Sequence, residues 1–97
     1  MSSVRSGRVI DAALLQKGFY RTSDADHLWY FLQREGGEGY VVRTKMSHGM
    51  MGETIGVELI ALMARQCRLT KKQFLSLIDC PMDETAYREI LQQQGLQ

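Results

Sequence analysis

The sequence has little cysteine, little net charge and no long apolar run, and each shortage excludes a class of protein. Its two cysteines are too few and too far apart for a disulfide scaffold. No apolar stretch approaches the roughly 20 residues that a membrane-spanning helix needs. The first residues also lack the apolar segment of a signal peptide, so the reducing cytoplasm is the expected location. A chain of 97 residues then predicts one small domain with no membrane partner.

The near-neutral charge limits the partners that the chain can bind. Twelve lysines and arginines against eleven aspartates and glutamates give a net charge of +1, which excludes a uniformly basic coat for nucleic acid. Residues 1–72 hold eleven basic and seven acidic side chains, whereas residues 73–97 hold one and four. Any nucleic-acid site must therefore be local.

Common cofactor motifs are also missing. The sequence has no glycine-rich phosphate loop, no cysteine pair at zinc spacing and no Gly-x-Ser-x-Gly elbow. A domain of this size has little room for a deep pocket. We therefore expect no cofactor and no metal.

The spacing of apolar residues predicts a helix, three strands and a second helix. Helical spacing follows Ser6 and stops at Gly18. Three strand-like runs come next: FYRTSD at 19–24, HLWYFLQR at 27–34 and YVVRTKM at 40–46. A further apolar stripe marks a helix that covers one face of the sheet: Ile55, Leu59, Leu62, Met63 and Gln66. The predicted fold class is α+β, an αβββα two-layer sandwich with a three-stranded antiparallel meander.

Two short helices are predicted beyond this core. A hydrophobic staple and a capping box at Thr70 indicate the start of a third helix. Pro81 ends that helix, and Asp83 opens a fourth that runs to Gly95. The organisation that follows is a single domain, 1–97, with the αβββα core at 6–66 and a helical extension at 67–97.

The middle strand is apolar on both of its faces. Its two sets of side chains are Trp29 with Phe31, and Leu28, Tyr30 and Leu32. A strand of this kind is usually central in a sheet or covered by another element. Strict alternation divides the next strand into Tyr40, Val42 and Thr44 on one face and Val41, Arg43 and Lys45 on the other.

Two histidines and two nearby cations could carry chemistry. His27 begins the middle strand, where the backbone is fixed and the edge is open, and His48 lies in a loop after Arg43 and Lys45. An imidazole beside cationic side chains is the minimum for metal-independent cleavage of RNA. His27 would take the proton of a 2′-hydroxyl as general base, and the cations would stabilise the phosphorane. The alternative is that His27 is an ordinary strand-end residue and that His48 is a solvated loop residue.

A second group of cations is expected to bind the phosphate backbone of RNA without reading its sequence. The chain has no acidic residue between Leu59 and Ile78. The alternative is that the arginines in this stretch complement the dipole of the second helix and that the lysines are solvated. The complete predicted RNA-binding set is Arg43, Lys45, His48, Arg65, Arg68, Lys71 and Lys72. The cysteines, Cys67 and Cys80, are expected to pack in the core.

Three short motifs between residues 9 and 66 carry a family resemblance. LLQKGF at 14–19 ends a helix in glycine before an aromatic begins a strand, His27-Leu28-Trp29-Tyr30 reads His-x-x-Tyr, and a His-bearing loop precedes the second helix. In these features the chain resembles the HicA toxin family, also called YcfA-like. The resemblance implies a fold like that of double-stranded-RNA-binding domains and an mRNA-cleaving toxin held by an HicB-like antitoxin. It makes His27 the catalytic histidine, Tyr30 its following aromatic and His48 part of the second histidine loop.

The chain departs from that family close to the site. Ala25-Asp26-His27 stands where the family reads Gly-Ser-His, the loop at 45–49 lacks a proline, and the helices after Leu69 exceed the length of a usual toxin. Two other functions therefore stay open. One is a non-catalytic protein-interaction or RNA-binding module whose added helices cover the working surface. The other is a homodimer that hides its spare apolar sheet face.

Overall fold

A computed structural model describes residues 3–97 and shows an α+β fold built on one three-stranded sheet. None of the helices in these residues has the length and apolar character to cross a membrane. The strands and helices, in chain order, are β1 (Arg5–Ser6), α1 (Gly7–Gln16), β2 (Phe19–Ser23), β3 (His27–Gln33), β4 (Tyr40–Ser47), a 3-10 helix (His48–Gly52), β5 (Thr54–Ile55), α2 (Val57–Gln66), α3 (Lys71–Ile78) and α4 (Glu84–Gln93).

The predicted antiparallel meander is confirmed, with β3 between β2 and β4. The register changes between Leu32 and Gln33, because Leu32 pairs with Val42 whereas Gln33 pairs with Tyr40. Val41 is thus an extra residue in β4, as in a β-bulge. The bulge corrects the strict alternation predicted for β4, since it puts Tyr40 on the same face as Arg43 instead of beside Val42.

Helices α1 and α2 pack on one face of this sheet, α1 against β2 and α2 against β4. We call this side the inner face. Its largest apolar side chains are fully or almost fully buried: Phe19, Leu28, Tyr30, Leu32, Val42 and Met46. Burial of such side chains contributes about 1.5–3 kcal/mol each, so the inner face is where the sheet gains its stability.

The apolar stripe predicted for the second helix is partly wrong. Ile55 belongs to β5, where it pairs with Arg5 of β1, and the helix begins only at Val57 after Gly56. Leu62 is 42% exposed, and the buried stripe of α2 is Ile60, Met63 and Ala64. The two-residue strands β1 and β5 hold the chain before α2 in an extended form, and the sequence pattern is too short to reveal them.

The starts of α3 and α4 are confirmed as predicted. The Thr70 hydroxyl accepts from the backbone of Gln73 at 3.1 Å, and the Gln73 side chain accepts from the backbone of Thr70 at 2.9 Å, which completes the capping box. Asp83 caps α4 in the same way by accepting from Ala86 at 2.8 Å. Local side-chain chemistry therefore sets both helix boundaries.

Helices α3 and α4 lie on the same side of the sheet as α1 and α2. Tyr87 of α4 stacks on Phe19, with ring centroids 6.0 Å apart, and its hydroxyl donates to the carbonyl of Cys67 at 2.8 Å. Phe74 and Leu77 of α3 are fully buried in the same apolar cluster. The extension is therefore built into the core, and it leaves the other face of the sheet uncovered.

The two cysteines occupy different environments. Cys67 is buried as predicted, and burial raises the pKa of its thiol to about 12. The prediction that Cys80 packs in the core is wrong, because Cys80 is exposed. It follows the end of α3 with a φ of 79°, and this left-handed turn carries the chain away from the core towards Pro81.

A buried ammonium group connects α1 to the C-terminal helices. Lys17 is only 5% exposed, and its Nζ donates to the carbonyl of Leu77 at 2.7 Å and to the carbonyl of Met82. Hydrogen bonds of this kind satisfy carbonyl groups at the end of a helix. Gly18, which follows with a φ of 98°, allows the chain to turn directly into β2.

We predict that Lys17→Met lowers the free energy of unfolding by about 1–3 kcal/mol, because the two carbonyl groups lose a charged donor while the aliphatic stem is kept. Urea unfolding measures the change, and Lys72→Met serves as the matched control at an exposed position. An unchanged urea midpoint for Lys17→Met would contradict a stabilising role for this contact.

Candidate nucleic-acid interface

The face of the sheet that points away from the helices carries a cluster of aromatic rings. We call it the open face. Phe31 lies at its centre, with ring centroids 5.4 Å from Tyr20, 5.0 Å from Tyr40 and 6.3 Å from Trp29. Tyr20 and Tyr40 are 42% and 39% exposed. Such a patch of rings is unusual on a surface unless something packs against it.

Two cations lie against these rings. The guanidinium carbon of Arg43 is 5.1 Å from the ring centroid of Trp29 and 5.8 Å from that of Tyr40. The Lys45 Nζ is 5.0 Å from the Trp29 centroid. Cation–π contacts of this length hold the charged groups next to the rings. The open face thus presents π surfaces and positive charge within a few ångströms of each other.

The Trp29 indole is held in place by Asp24 in the turn between β2 and β3. One carboxylate oxygen accepts from the indole N–H at 2.8 Å, and the other accepts from the backbone N–H groups of Asp26 and His27 at 2.8 and 2.7 Å. These hydrogen bonds, that from Trp29 first, lower the pKa of Asp24 to about 2. The carboxylate therefore stays ionised at neutral pH, and its hold on Trp29 weakens only as the pH falls from about 4 to about 2.

His27 lies at the rim of the open face, where the sequence predicted it. Its imidazole is half-buried and packs edge-on against Trp29, with ring centroids 6.1 Å apart. Asp24 binds the backbone of His27, so its carboxylate already has three donors and does not orient the imidazole. Lys45 contacts the same indole as His27. An imidazole and an ammonium group consequently share one aromatic neighbour.

His48 does not lie with Arg43 and Lys45 but contacts the turn between β2 and β3. It starts the 3-10 helix, and its Nε2 lies 2.8 Å from the backbone carbonyl of Asp24 and 3.4 Å from the Ser23 hydroxyl. A carbonyl only accepts, so this ring nitrogen carries the proton in the contact. His48 braces the turn that holds Trp29, which is a positioning contact beside the open face.

Four of the predicted RNA-binding cations border one groove of about 530 Å³. It runs along β4, the edge strand, and its far wall is the C-terminal end of α2. We call it the β4–α2 groove. The residues that line it are Trp29, Tyr40, Val41, Val42, Arg43, Thr44, Lys45, Leu62, Arg65, Gln66 and Arg68. The lining includes no aspartate and no glutamate. Lys71 and Lys72 are exposed in the first turn of α3 and lie outside the lining.

Tyr30, which the family resemblance makes the aromatic that follows the catalytic histidine, does not lie beside His27 on the open face. It is fully buried on the inner face, and its hydroxyl donates to Asp11 at 2.7 Å, as does the guanidinium of Arg21. Burial and the hydrogen bond to Asp11 raise the pKa of the Tyr30 phenol. Tyr30 thus fixes β3 to α1 and does not reach the open face.

The sequence identified the cations but missed Tyr20 and Tyr40 as part of the site. Tyr20 follows the buried Phe19 by one residue, so strand alternation alone assigns it to the open face. Tyr40 had no such signal, because the bulge that turns it outwards depends on pairing between strands. The aromatic cluster is therefore a feature of the folded sheet that the sequence pattern alone did not predict.

Comparison with known proteins finds no matching family model, no matching curated protein and no matching solved structure. The resemblance to HicA toxins and to double-stranded-RNA-binding domains therefore stays a prediction from short motifs.

We predict that Asp24→Ala frees the indole of Trp29, the single tryptophan of the chain, and raises its quenching by acrylamide by about twofold, because the hydrogen bond that holds the ring is lost. Asp26→Ala is the matched control, since it removes the same charge from the same turn. Equal quenching of the two variants would show that Asp24 does not position Trp29.

Proposed function

We propose that this chain binds single-stranded RNA on its open face. The observation that carries the proposal is the cluster of Tyr20, Trp29, Phe31 and Tyr40 with Arg43 and Lys45 seated against it. Aromatic rings bind unpaired bases by stacking, and nearby cations bind the phosphates between them. Each stacked base contributes about 1–3 kcal/mol, so a few bases on these rings suffice for measurable affinity.

A single strand fits this surface better than a duplex. Bases in a duplex stack on each other, and their faces are not available to a protein ring. The open face instead offers several rings side by side, at centroid spacings of 5.0 to 6.3 Å. The choice of RNA over DNA rests on the resemblance to HicA toxins and on the 2′-hydroxyl that His27 could use.

The position of the C-terminal helices favours this function over a module with a covered surface. Helix α4 reaches the inner face through Tyr87, which stacks on Phe19. Its Arg88 donates to the backbone carbonyl of Gln33 at the end of β3. Tyr20, Tyr40 and Arg43 stay exposed. The rings and cations are thus accessible to a ligand.

A second proposal is metal-independent cleavage of the bound RNA, with mRNA as the substrate that the family resemblance implies. His27, half-exposed beside Trp29, would accept the proton of a 2′-hydroxyl as general base. The 2′-oxygen would attack the adjacent phosphorus while Lys45 and Arg43 stabilise the charge on the phosphorane. The P–O5′ bond would break in the same step, the departing 5′-oxygen would take a proton from solvent, and His27 would release its own proton to solvent afterwards. The products would be a 2′,3′-cyclic phosphate and a 5′-hydroxyl.

We predict that Phe31→Ala weakens RNA binding by about 5- to 100-fold, because the central ring of the cluster is lost. Quenching of Trp29 fluorescence by oligouridylate measures the dissociation constant and reports contact with the open face directly. Leu15→Ala is the matched control, since Leu15 is 40% exposed on α1.

The binding proposal would fail on either of two results. One is the absence of Trp29 quenching by any single-stranded RNA at low salt. The other is an equal loss of affinity in Phe31→Ala and Leu15→Ala. A matched DNA strand tests whether the sugar contributes to recognition.

We predict that His27→Ala abolishes RNA cleavage while changing the dissociation constant for RNA by less than about threefold, since His27 supplies a proton acceptor and little stacking surface. Cleavage is followed in the presence of EDTA by the appearance of cyclic phosphate ends, and toxicity by growth arrest on expression. His48→Ala is the comparison histidine. Cleavage at the wild-type rate by His27→Ala would remove this residue from the mechanism.

A further inference from the structure

The carboxylates around the open face are concentrated at its two ends. Asp24 and Asp26 lie in the turn between β2 and β3, and Glu35 and Glu38 lie in the hairpin between β3 and β4. The low pKa of Asp24 keeps the first of these turns negative at neutral pH. Glu35 is paired with Arg88 at 3.4 Å, so the repulsion of a polyanion is strongest at the turn of Asp24 and Asp26. This repulsion favours an RNA strand that crosses the sheet over one that runs along the strands.

The two edges of the sheet differ in the cations that they offer. On β2, Arg21 is on the inner face and forms an ion pair with Asp11 at 2.7 Å, while Tyr20 and Thr22 on the open face are neutral. On β4, Arg43 and Lys45 face outwards and the β4–α2 groove lies beyond them. Positive charge therefore continues past one edge of the open face and not past the other.

The arginines of the groove have no acidic partner among residues 3–97. Arg5, Arg21 and Arg88 each form an ion pair, and Arg34 donates to the carbonyl of Gln97. Four arginines within residues 3–97 have neither an ion pair nor a hydrogen bond from the guanidinium group: Arg8, Arg43, Arg65 and Arg68. Three of these four line the groove. Dipole compensation at the end of α2 does not account for Arg43, which is on a strand.

A hydrogen bond joins the two walls of the groove and fixes their relative position. The buried hydroxyl of Thr44 in β4 donates to the Gln66 side chain of α2 at 2.7 Å. This hydrogen bond fixes the end of α2 beside the edge strand, so the backbone positions of Arg65 and Arg68 are set before a ligand arrives. The groove also borders Trp29 and Tyr40 of the open face, and the two surfaces are continuous.

We propose that an RNA strand leaves the open face over β4 and that its phosphates enter the β4–α2 groove, where Arg65 and Arg68 bind them. The inference rests on the proposed function and extends it by giving the strand a direction and a longer footprint. Bases stack on the open face, and the following phosphodiester backbone lies in the groove. Short RNA then reaches only the rings, whereas longer RNA reaches both surfaces.

The test compares a uridine tetranucleotide with a uridine dodecanucleotide, using the full chain and Trp29 fluorescence. The variant is Arg65→Gln with Arg68→Gln, and the matched control is Arg8→Gln on α1. For the dodecanucleotide we expect the double variant to weaken binding about tenfold and to reduce the slope of log Kd against log salt by about 1.4, since each phosphate contact on a single strand contributes about 0.7. For the tetranucleotide we expect a change of less than about twofold.

The outcomes separate this inference from the proposed function. An unchanged affinity and salt slope for the dodecanucleotide would overturn the groove as a phosphate site. An equal loss for both oligonucleotides would also overturn it, because the arginines would then act on the open face itself. Normal Trp29 quenching by the tetranucleotide in every variant would leave RNA binding by the open face standing in both cases. Absence of quenching in the wild-type protein would instead overturn the proposed function.

Discussion

The structure depends on a central strand that is apolar on both faces while the helices cover only one of them. Leu28, Tyr30 and Leu32 are buried beneath the helices, and Trp29 and Phe31 alternate with them on the other side. Alternation of side chains along a strand makes this separation unavoidable. One face therefore supplies stability, and the other is left with large rings that stay partly exposed.

Charge and aromatic surface act together on that uncovered face. Arg43 and Lys45 lie against the Trp29 ring, which keeps one guanidinium and one ammonium charge close to the sheet. Asp24 and His48 brace the turn that fixes the same indole. The proposed ligand, single-stranded RNA, matches such a surface because it combines flat, uncharged bases with regularly spaced negative charge.

Much of the fold could be predicted from the sequence, because local rules set it. The capping box at Thr70 and the left-handed Gly18 follow from the chemistry of single residues, and both are found as expected. Two of the failures arise where strands meet. The bulge that turns Tyr40 outwards and the pairing of Ile55 with Arg5 depend on distant segments, which no local pattern encodes. The cationic residues could be named from their positions in the sequence, whereas only the folded structure shows that four of them line one groove.

The stacking of Tyr87 on Phe19 has a consequence for how the domain forms during synthesis. Phe19 begins the first strand of the meander, yet its aromatic neighbour lies 68 positions later in the chain. A nascent polypeptide that has not emerged as far as α4 leaves Phe19 without this ring, and contacts of such sequence separation form late. Helix α4 thus acts as the closing element of the core, and premature termination ahead of it would yield an aggregation-prone fragment instead of a smaller working protein.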